Sequence, residues 1–403
     1  MTSTVSSSPE TPLAETTASD YGAEERTFLR KLTFYAFVLR ALLAVLLDWS
    51  GYSRRLAPDE ATYATEGWSL ALYWAGEVFI KPWRLGTGQP VGYFYLNGAA
   101  FWLFGHTEIP LKLINALLGA LSCRFLYALA RDLYGIRVAA YAAQLFAYFP
   151  SLILWSVLNI RDVWVIALIL FVSVKSLETV QGRSRFALVQ LLLGAFALTF
   201  FRDYLFFVVA VPPVVAFLIG RSGHLLRNVI IASVASLGLL LLIQQGAVSG
   251  TTTQRMSLEG LSQARQDLAT GGSAFHGKVD VSTPGKALAF LPIGVAYFLF
   301  SPFPWEITSV LKLFSLPEML FIYFLTPAIL RGLRYAARER FRESLQVLLL
   351  TGLLTVSYAL GEGNVGTLYR HRAQALGFYL MFAALGRESR RREPPGTEGA
   401  AEA

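Results

Sequence analysis

The chain has 403 residues, 54% of them hydrophobic and only 15% charged, with a formal net charge of +8. Soluble domains carry about a quarter charged residues, so this composition excludes an ordinary soluble domain and points to an all-α polytopic integral membrane protein. One cysteine, Cys123, excludes a disulfide framework or a cysteine-based metal site, and in such a chain the positive balance reads as basic loops facing anionic lipid rather than a nucleic-acid surface.

In chain order, residues 1–27 are rich in Ser, Thr, Ala and Glu, lack an apolar period, and are expected to be disordered and cytoplasmic. They lack the basic n-region and cleavage site of a signal peptide, so the first apolar run, Phe28–Leu47, is expected to remain a membrane helix. The membrane domain is expected to span 28–386, with roughly 10–12 transmembrane or re-entrant helices. After the first run the candidate segments are Pro90–Phe104, Leu111–Ala130, Val138–Leu158, Val163–Leu177, Phe186–Phe200 and Tyr204–Ile219. They continue with Asn228–Gln244, Ala287–Phe303, Pro317–Leu330, Leu345–Leu360 and Ala373–Leu385. Two polar connections are long. The first outer loop, 48–89, is expected to carry interfacial helices around Ala61–Trp74; the second, 245–286, holds a short amphipathic helix near Ser257–Leu268. The tail, 387–403, opens on arginines, runs into a Pro/Gly/Glu stretch and reads as disordered.

Basic residues set the orientation. Arg26, Arg30 and Lys31 place the N-terminus inside and the first loop outside. The basic stretches Lys175–Arg185, Arg221–Arg227, Arg331–Arg342 and Arg387–Arg392 also belong inside. These demands are compatible only if a segment within Pro90–Ala130 and the one at Ala287–Phe303 are short, re-entrant or interfacial. Asn159–Asp162, Arg202-Asp203, Pro302–Glu306 and Arg370–Arg372 then share the outer face with the first loop.

That face has a distinct chemistry. The adjacent carboxylates Asp59 and Glu60 follow Pro58, which suits the first turn of a helix, and a helix N-terminus favours a charged base. Such a pair supplies a general base, a ligand for a divalent metal ion, or both. Lys81, Arg84, Arg161, Arg370 and Arg372 form a candidate cationic nest, and the guanidinium fork suits phosphate oxygens. Tyr63, Glu306 and His371 lie on the same face, and Asp162 is a second candidate acid; Arg161-Asp162 also reads as a local helix-capping ion pair. Acid, phosphate-binding cations and aromatics at a membrane surface describe transfer of a sugar from a lipid phosphate. His106, His224 and His276 show no metal-ligand spacing.

The string Pro58-Asp59-Glu60-Ala61-Thr62-Tyr63-Ala64 resembles the first-loop acidic motif of the C-type glycosyltransferases, in the branch of the protein O-mannosyltransferases and the lipid A aminoarabinose transferase. Gln89-Pro90-Val91-Gly92-Tyr93-Phe94-Tyr95, Leu103-Phe104-Gly105, Ala130-Arg131-Asp132-Leu133-Tyr134-Gly135 and Gly363-Asn364-Val365-Gly366-Thr367 with Tyr369-Arg370-His371-Arg372 extend the likeness. The resemblance implies a polyprenyl-phosphate-sugar donor and a glycan, lipid or protein hydroxyl as acceptor, with inverting hexosyl or pentosyl transfer on the outer face of a bacterial inner membrane. It aligns Asp59 with the catalytic acid, Glu60 with its neighbour and Asp162 with a second acidic position. Lys81-Pro82 resembles a Lys-Pro that directly precedes the second membrane segment in the aminoarabinose branch, although here Trp83 to Gln89 intervene. Two other classes compete: a transporter or flippase for lipid-linked saccharides, and a non-catalytic subunit of a polysaccharide assembly machine. A transporter tends to show internal repeats and broken, charged helices. This chain shows no repeat and concentrates its polar residues in loops.

Overall fold

The computed structural model describes residues 22–79, 82, 91–220, 257–269, 273–277, 279–307 and 310–392. Among them there is no named strand, only an isolated bridge between Ala274 and Asn364. Lys81 and Arg84 of the candidate phosphate nest, and the expected segment Asn228–Gln244, lie outside the described residues.

The apolar blocks are helices because they offer the backbone long runs without water and seldom interrupt them. In lipid each backbone group must be satisfied within its own segment. The helices are α1 (Ala23–Trp49), α2 (Ser53–Leu56), α3 (Asp59–Ala75), α4 (Gly92–Phe104), α5 (Ile109–Tyr134), α6 (Ile136–Tyr148), α7 (Pro150–Leu154) and α8 (Asp162–Gln181). After them come α9 (Ala187–Thr199), α10 (Asp203–Gly220), α11 (Leu258–Leu268), α12 (Pro284–Phe300), α13 (Val310–Arg338), α14 (Phe341–Gly361) and α15 (Val365–Arg392). Five of these contain a stretch long and apolar enough to cross a membrane: α1, α5, α8, α13 (over Ser315–Arg338) and α14.

Helix α1 begins at Ala23, before the apolar run. Its first turn is tied down by Glu25, which accepts from Tyr127 Oη at 2.7 Å and Arg131 Nε at 2.9 Å. It buries Leu29, Leu32, Ala36, Arg40 and Ala44, one stripe at helical spacing, while Phe34, Tyr35, Leu42 and Leu46 face outward. Outward apolar side chains are the normal state of a helix in lipid, where close packing rather than apolar burial drives association. Gly332 of α13 shows that packing. A Cβ there would stand 1.9 Å from the Phe382 carbonyl of α15, so the two backbones touch only because the side chain is absent. Helix α15 continues past Gly386 to Arg392, with Glu388 3.4 Å from Arg137, so helix extends into the expected tail.

Ion pairs mark the two ends of the bundle. Glu25–Arg131, Asp132–Arg183 and Arg137–Glu388 gather the start of α1 and α6 and the finish of α5, α8 and α15 at one end. The start of α3, α8, α10 and α15 stands at the other. Helix α4 returns to that second end: Gly92 N–H donates to the Phe200 carbonyl at 2.8 Å, and Glu108, just past α4, pairs with Arg54 at 3.0 Å. Helix α12 also stays there, since Phe290 packs under Arg265 and Phe298 stacks on Tyr358 in the last turn of α14. The two segments that sequence reasoning required to be short or interfacial are therefore α4, of 13 residues, and α12, of 17. Helix α3 packs along α4 as a hairpin over the bundle end. Gly67 permits that contact, because a Cβ would come within 2.3 Å of Asn97 Cβ.

Candidate active site

Four helix starts and one helix end meet at the second end of the bundle. Pro58 precedes α3, its fixed φ of −56° matching the first turn, so Asp59 and Glu60 become the first two helical residues. Asp162 is the first residue of α8 and Asp203 the first of α10. Acids at these positions complement the positive N-terminal ends of the helix dipoles.

Arg370, in the second turn of α15, joins two of the acids. Its Nη1 donates to Asp59 Oδ2 at 2.7 Å, while Nε and Nη2 donate to Asp162 Oδ2 at 2.7 and 2.5 Å. The carboxylates differ in environment: the Asp59 side chain is 57% exposed and that of Asp162 fully buried. A second guanidinium supports Asp162 from behind, with Arg202 Nη2 3.3 Å from Oδ1. Arg202 also donates to Tyr204 Oη at 2.7 Å and meets His371 Nε2 at 2.6 Å. The other imidazole nitrogen, Nδ1, contacts Glu362 Oε1 at 2.5 Å, and Thr367 Oγ1 donates to Glu362 Oε2 at 2.7 Å. Burial alone would raise the Glu362 carboxyl, but His371 and Thr367 outweigh it and hold the group below its usual value. A chain of alternating charge thus runs from the exposed Asp59 to the buried Glu362.

Glu60, one residue along, faces the other way. Successive helical side chains are about 100° apart, and Glu60 is carried into the interior. It is fully buried, accepts the Asn159 backbone N–H at 2.5 Å and stands 3.5 Å from Lys112 Nζ. Lys112 also donates to Asp48 at 2.8 Å and Ser53 at 3.1 Å, and lies 3.7 Å from Glu108. Asn159 completes the network, donating to Asn97 and Glu108 at 2.9 and 3.0 Å and accepting from Tyr93 at 2.9 Å. The network ties the start of α3 to the turn that leads into Asp162.

The other expected residues fall at several depths. Arg161 precedes α8; its carbonyl accepts from the Trp164 and Val165 N–H groups, while its side chain makes no hydrogen bond or ion pair among the described residues and keeps its buried Nε without a partner. Arg372 is buried, and its Nη1 donates to the Leu299 and Ser301 carbonyls at 3.0 and 2.8 Å, with Phe298 O at 3.4 Å. It therefore caps the C-terminal end of α12 rather than opening to solvent. Tyr63 packs edge-on against Tyr93, ring centroids 4.9 Å apart. Glu306 accepts from Tyr297 Oη at 2.8 Å and from the Phe303 N–H at 3.3 Å, closing a short turn. Among the described residues no group of three or more His, Cys, Asp or Glu converges as a metal site would.

Sequence reasoning did not count Arg202, Lys112, Glu318 or Glu362 among the site residues. Lys112 and Glu318 carried a signal: Glu318 is the lone charge of its apolar segment and Lys112 one of two cations in its own, positions that cost free energy unless a partner compensates. Glu318 meets the Ser151 N–H at 2.7 Å and Tyr369 Oη at 2.9 Å. Glu362 gave no such signal, since its partners are set only when α14 and α15 pack.

A family model described as dolichyl-phosphate-mannose-protein mannosyltransferase matches residues 88–245. The matched stretch holds Asn159, Arg161, Asp162 and Arg202, whereas Asp59 and Arg370 lie outside it. No curated protein matches the chain.

Proposed function

We infer that this chain, a membrane glycosyltransferase of the C type, takes a sugar from a polyprenyl-phosphate-linked donor and passes it to an acceptor hydroxyl at the outer face of the membrane. The observation that carries the reading is the convergence of Asp59, Arg370 and Asp162 at one bundle end, with the unpartnered Arg161 beside them. A general base must be reachable by its substrate, and only Asp59 of the pair at the start of α3 is exposed.

Asp59 removes the acceptor hydroxyl proton. The acceptor oxygen attacks the anomeric carbon from the face opposite the phosphate, the carbon–oxygen bond to phosphate breaks, and the phosphate leaves with the electron pair. The configuration at that carbon is inverted. Arg370 and Arg161 bind the phosphate oxygens and stabilise the charge that gathers on them. Lys81 and Arg84 belong to the same proposed nest. Asp162 holds Arg370, and Glu60 with Lys112 fixes the start of α3. Arg372 acts at one remove, by holding the end of α12 against α15.

The test is transfer by the purified full-length protein from a polyprenyl-phosphate sugar to a hydroxylic acceptor, read as released polyprenyl phosphate. Arg161→Ala and Arg370→Ala should each weaken donor binding by about tenfold or more, since a charge-assisted hydrogen bond contributes about 1.5–3 kcal/mol. Donor translocation without bond cleavage would instead favour the transporter reading.

A further inference from the structure

We propose that the Asp59 carboxylate occupies, on Arg370, the place that the donor phosphate takes, so that donor binding itself releases the base. This rests on the glycosyltransferase reading above. Arg370 carries three nitrogens and five N–H groups. Nε and Nη2 are committed to Asp162, which is fully buried and backed by Arg202. Nη1 is the nitrogen that turns to Asp59. The two pairs are unequal. The Asp162 pair is dehydrated and doubly bonded, and losing either partner leaves a buried charge uncompensated. The Asp59 pair has a single hydrogen bond and a carboxylate 57% exposed, the kind of ion pair that water and salt reduce to little. The incoming donor phosphate, a singly charged diester, displaces the weaker partner first, as does the polyprenyl phosphate it releases.

The exchange has a chemical consequence. While bonded to the guanidinium, the Asp59 oxygen that faces the site is occupied by the Arg370 N–H and is not open to an acceptor hydroxyl. Once the phosphate takes Nη1, that Asp59 oxygen is released to accept the hydroxyl proton beside a filled donor site. Asp162 keeps Arg370 in place throughout, so the guanidinium does not follow Asp59 outward. Arg161, whose Nε is buried and unpartnered, supplies a second cation to the arriving phosphate. Acceptor activation is thereby conditional on donor occupancy.

Binding of a long-chain polyprenyl phosphate to the full-length protein in nanodiscs tests this. Asp59→Asn removes the competing charge and should bind the lipid about two- to fivefold more tightly than wild type, the range set by an exposed ion pair. Asp59→Ser should do the same, and thermal melting identifies either variant if it fails to fold. Asp162→Asn should weaken binding. The gain from Asp59→Asn should disappear in an Arg370→Gln background, which separates competition at Arg370 from general charge repulsion. Equal or weaker binding by folded Asp59→Asn and Asp59→Ser, or a gain that persists without Arg370, overturns the proposal while leaving the donor assignment standing. Absence of polyprenyl-phosphate binding by wild type and variants alike overturns the donor assignment, and this inference with it.

Discussion

Asp59 and Glu60 are neighbours in the chain and belong to two different electrostatic regions. Asp59 is exposed to solvent and pairs with Arg370, while Glu60 is closed off with Lys112, Asn159 and Glu108 beneath the α3–α4 hairpin. The front region has one exposed member and shares a single guanidinium between two acids, so its pairing can be exchanged. The back region has a fully buried carboxylate, a lysine exposed by only 2% and an amide bonded through its side chain and backbone. Its charges have no water to return to, and breaking one contact costs the desolvation of the group left behind. One region is arranged to change partners and the other to hold them.

The largest expected effect breaks the comparison at its front. Asp59→Asn keeps the size of the side chain and removes the base, so turnover with donor and acceptor should fall by about 10²–10⁴ while the protein remains folded. Glu60→Gln keeps the acceptor for the Asn159 N–H and should lower turnover far less. Steady-state rates of the two purified variants decide the matter, and wild-type turnover in Asp59→Asn would move the base to Asp162.

An intermediate effect tests the back. Lys112→Met leaves Asp48, Glu60 and Glu108 without the ammonium between them and should destabilise the protein by about 3–5 kcal/mol. Reduced melting temperature in detergent is the readout. Arg161→Met, at the front and with a side chain that has no hydrogen-bond or ion-pair partner among the described residues, should leave the melting temperature nearly unchanged. Equal stability of the two variants would remove the distinction between the regions.

The smallest effect concerns pH and sharpens where the front region ends. Glu362 is held below its ordinary value of 4.5, so the stability it contributes is complete above that value and is lost as pH falls through the lower folded value. Glu362→Gln should therefore melt below wild type near neutrality, and the gap should close under acid. A gap independent of pH down to the acid limit would show that the charge of Glu362 contributes nothing.

Much of the architecture was legible because the bilayer imposes simple rules on sequence. Run length marked the helices, and basic residues called for two segments that do not cross; α4 and α12, of 13 and 17 residues, are the short apolar helices at those places. Pro58 and the adjacent acids marked the start of α3, and the amphipathic helix expected near Ser257–Leu268 is α11, capped by Ser257, whose Oγ accepts the Gly260 N–H at 3.0 Å. Charged residues in the polar connections and at helix ends named most of the groups that assemble around Asp59.

Partnership was decided only in three dimensions. Arg370 and Arg372 are two residues apart, on one short basic motif, and sequence treats them alike. About 200° of helical rotation turns Arg370 toward Asp59 and Asp162 and Arg372 toward the carbonyls that end α12. Half that rotation, about 100° for adjacent residues, separates Asp59 from Glu60. Local sequence determines that a charge stands at the end of a helix, because propensity, capping and hydropathy act over a few residues. Which opposite charge it meets depends on packing between segments such as α3, α8 and α15, whose partners lie 208 and 311 residues apart in the chain.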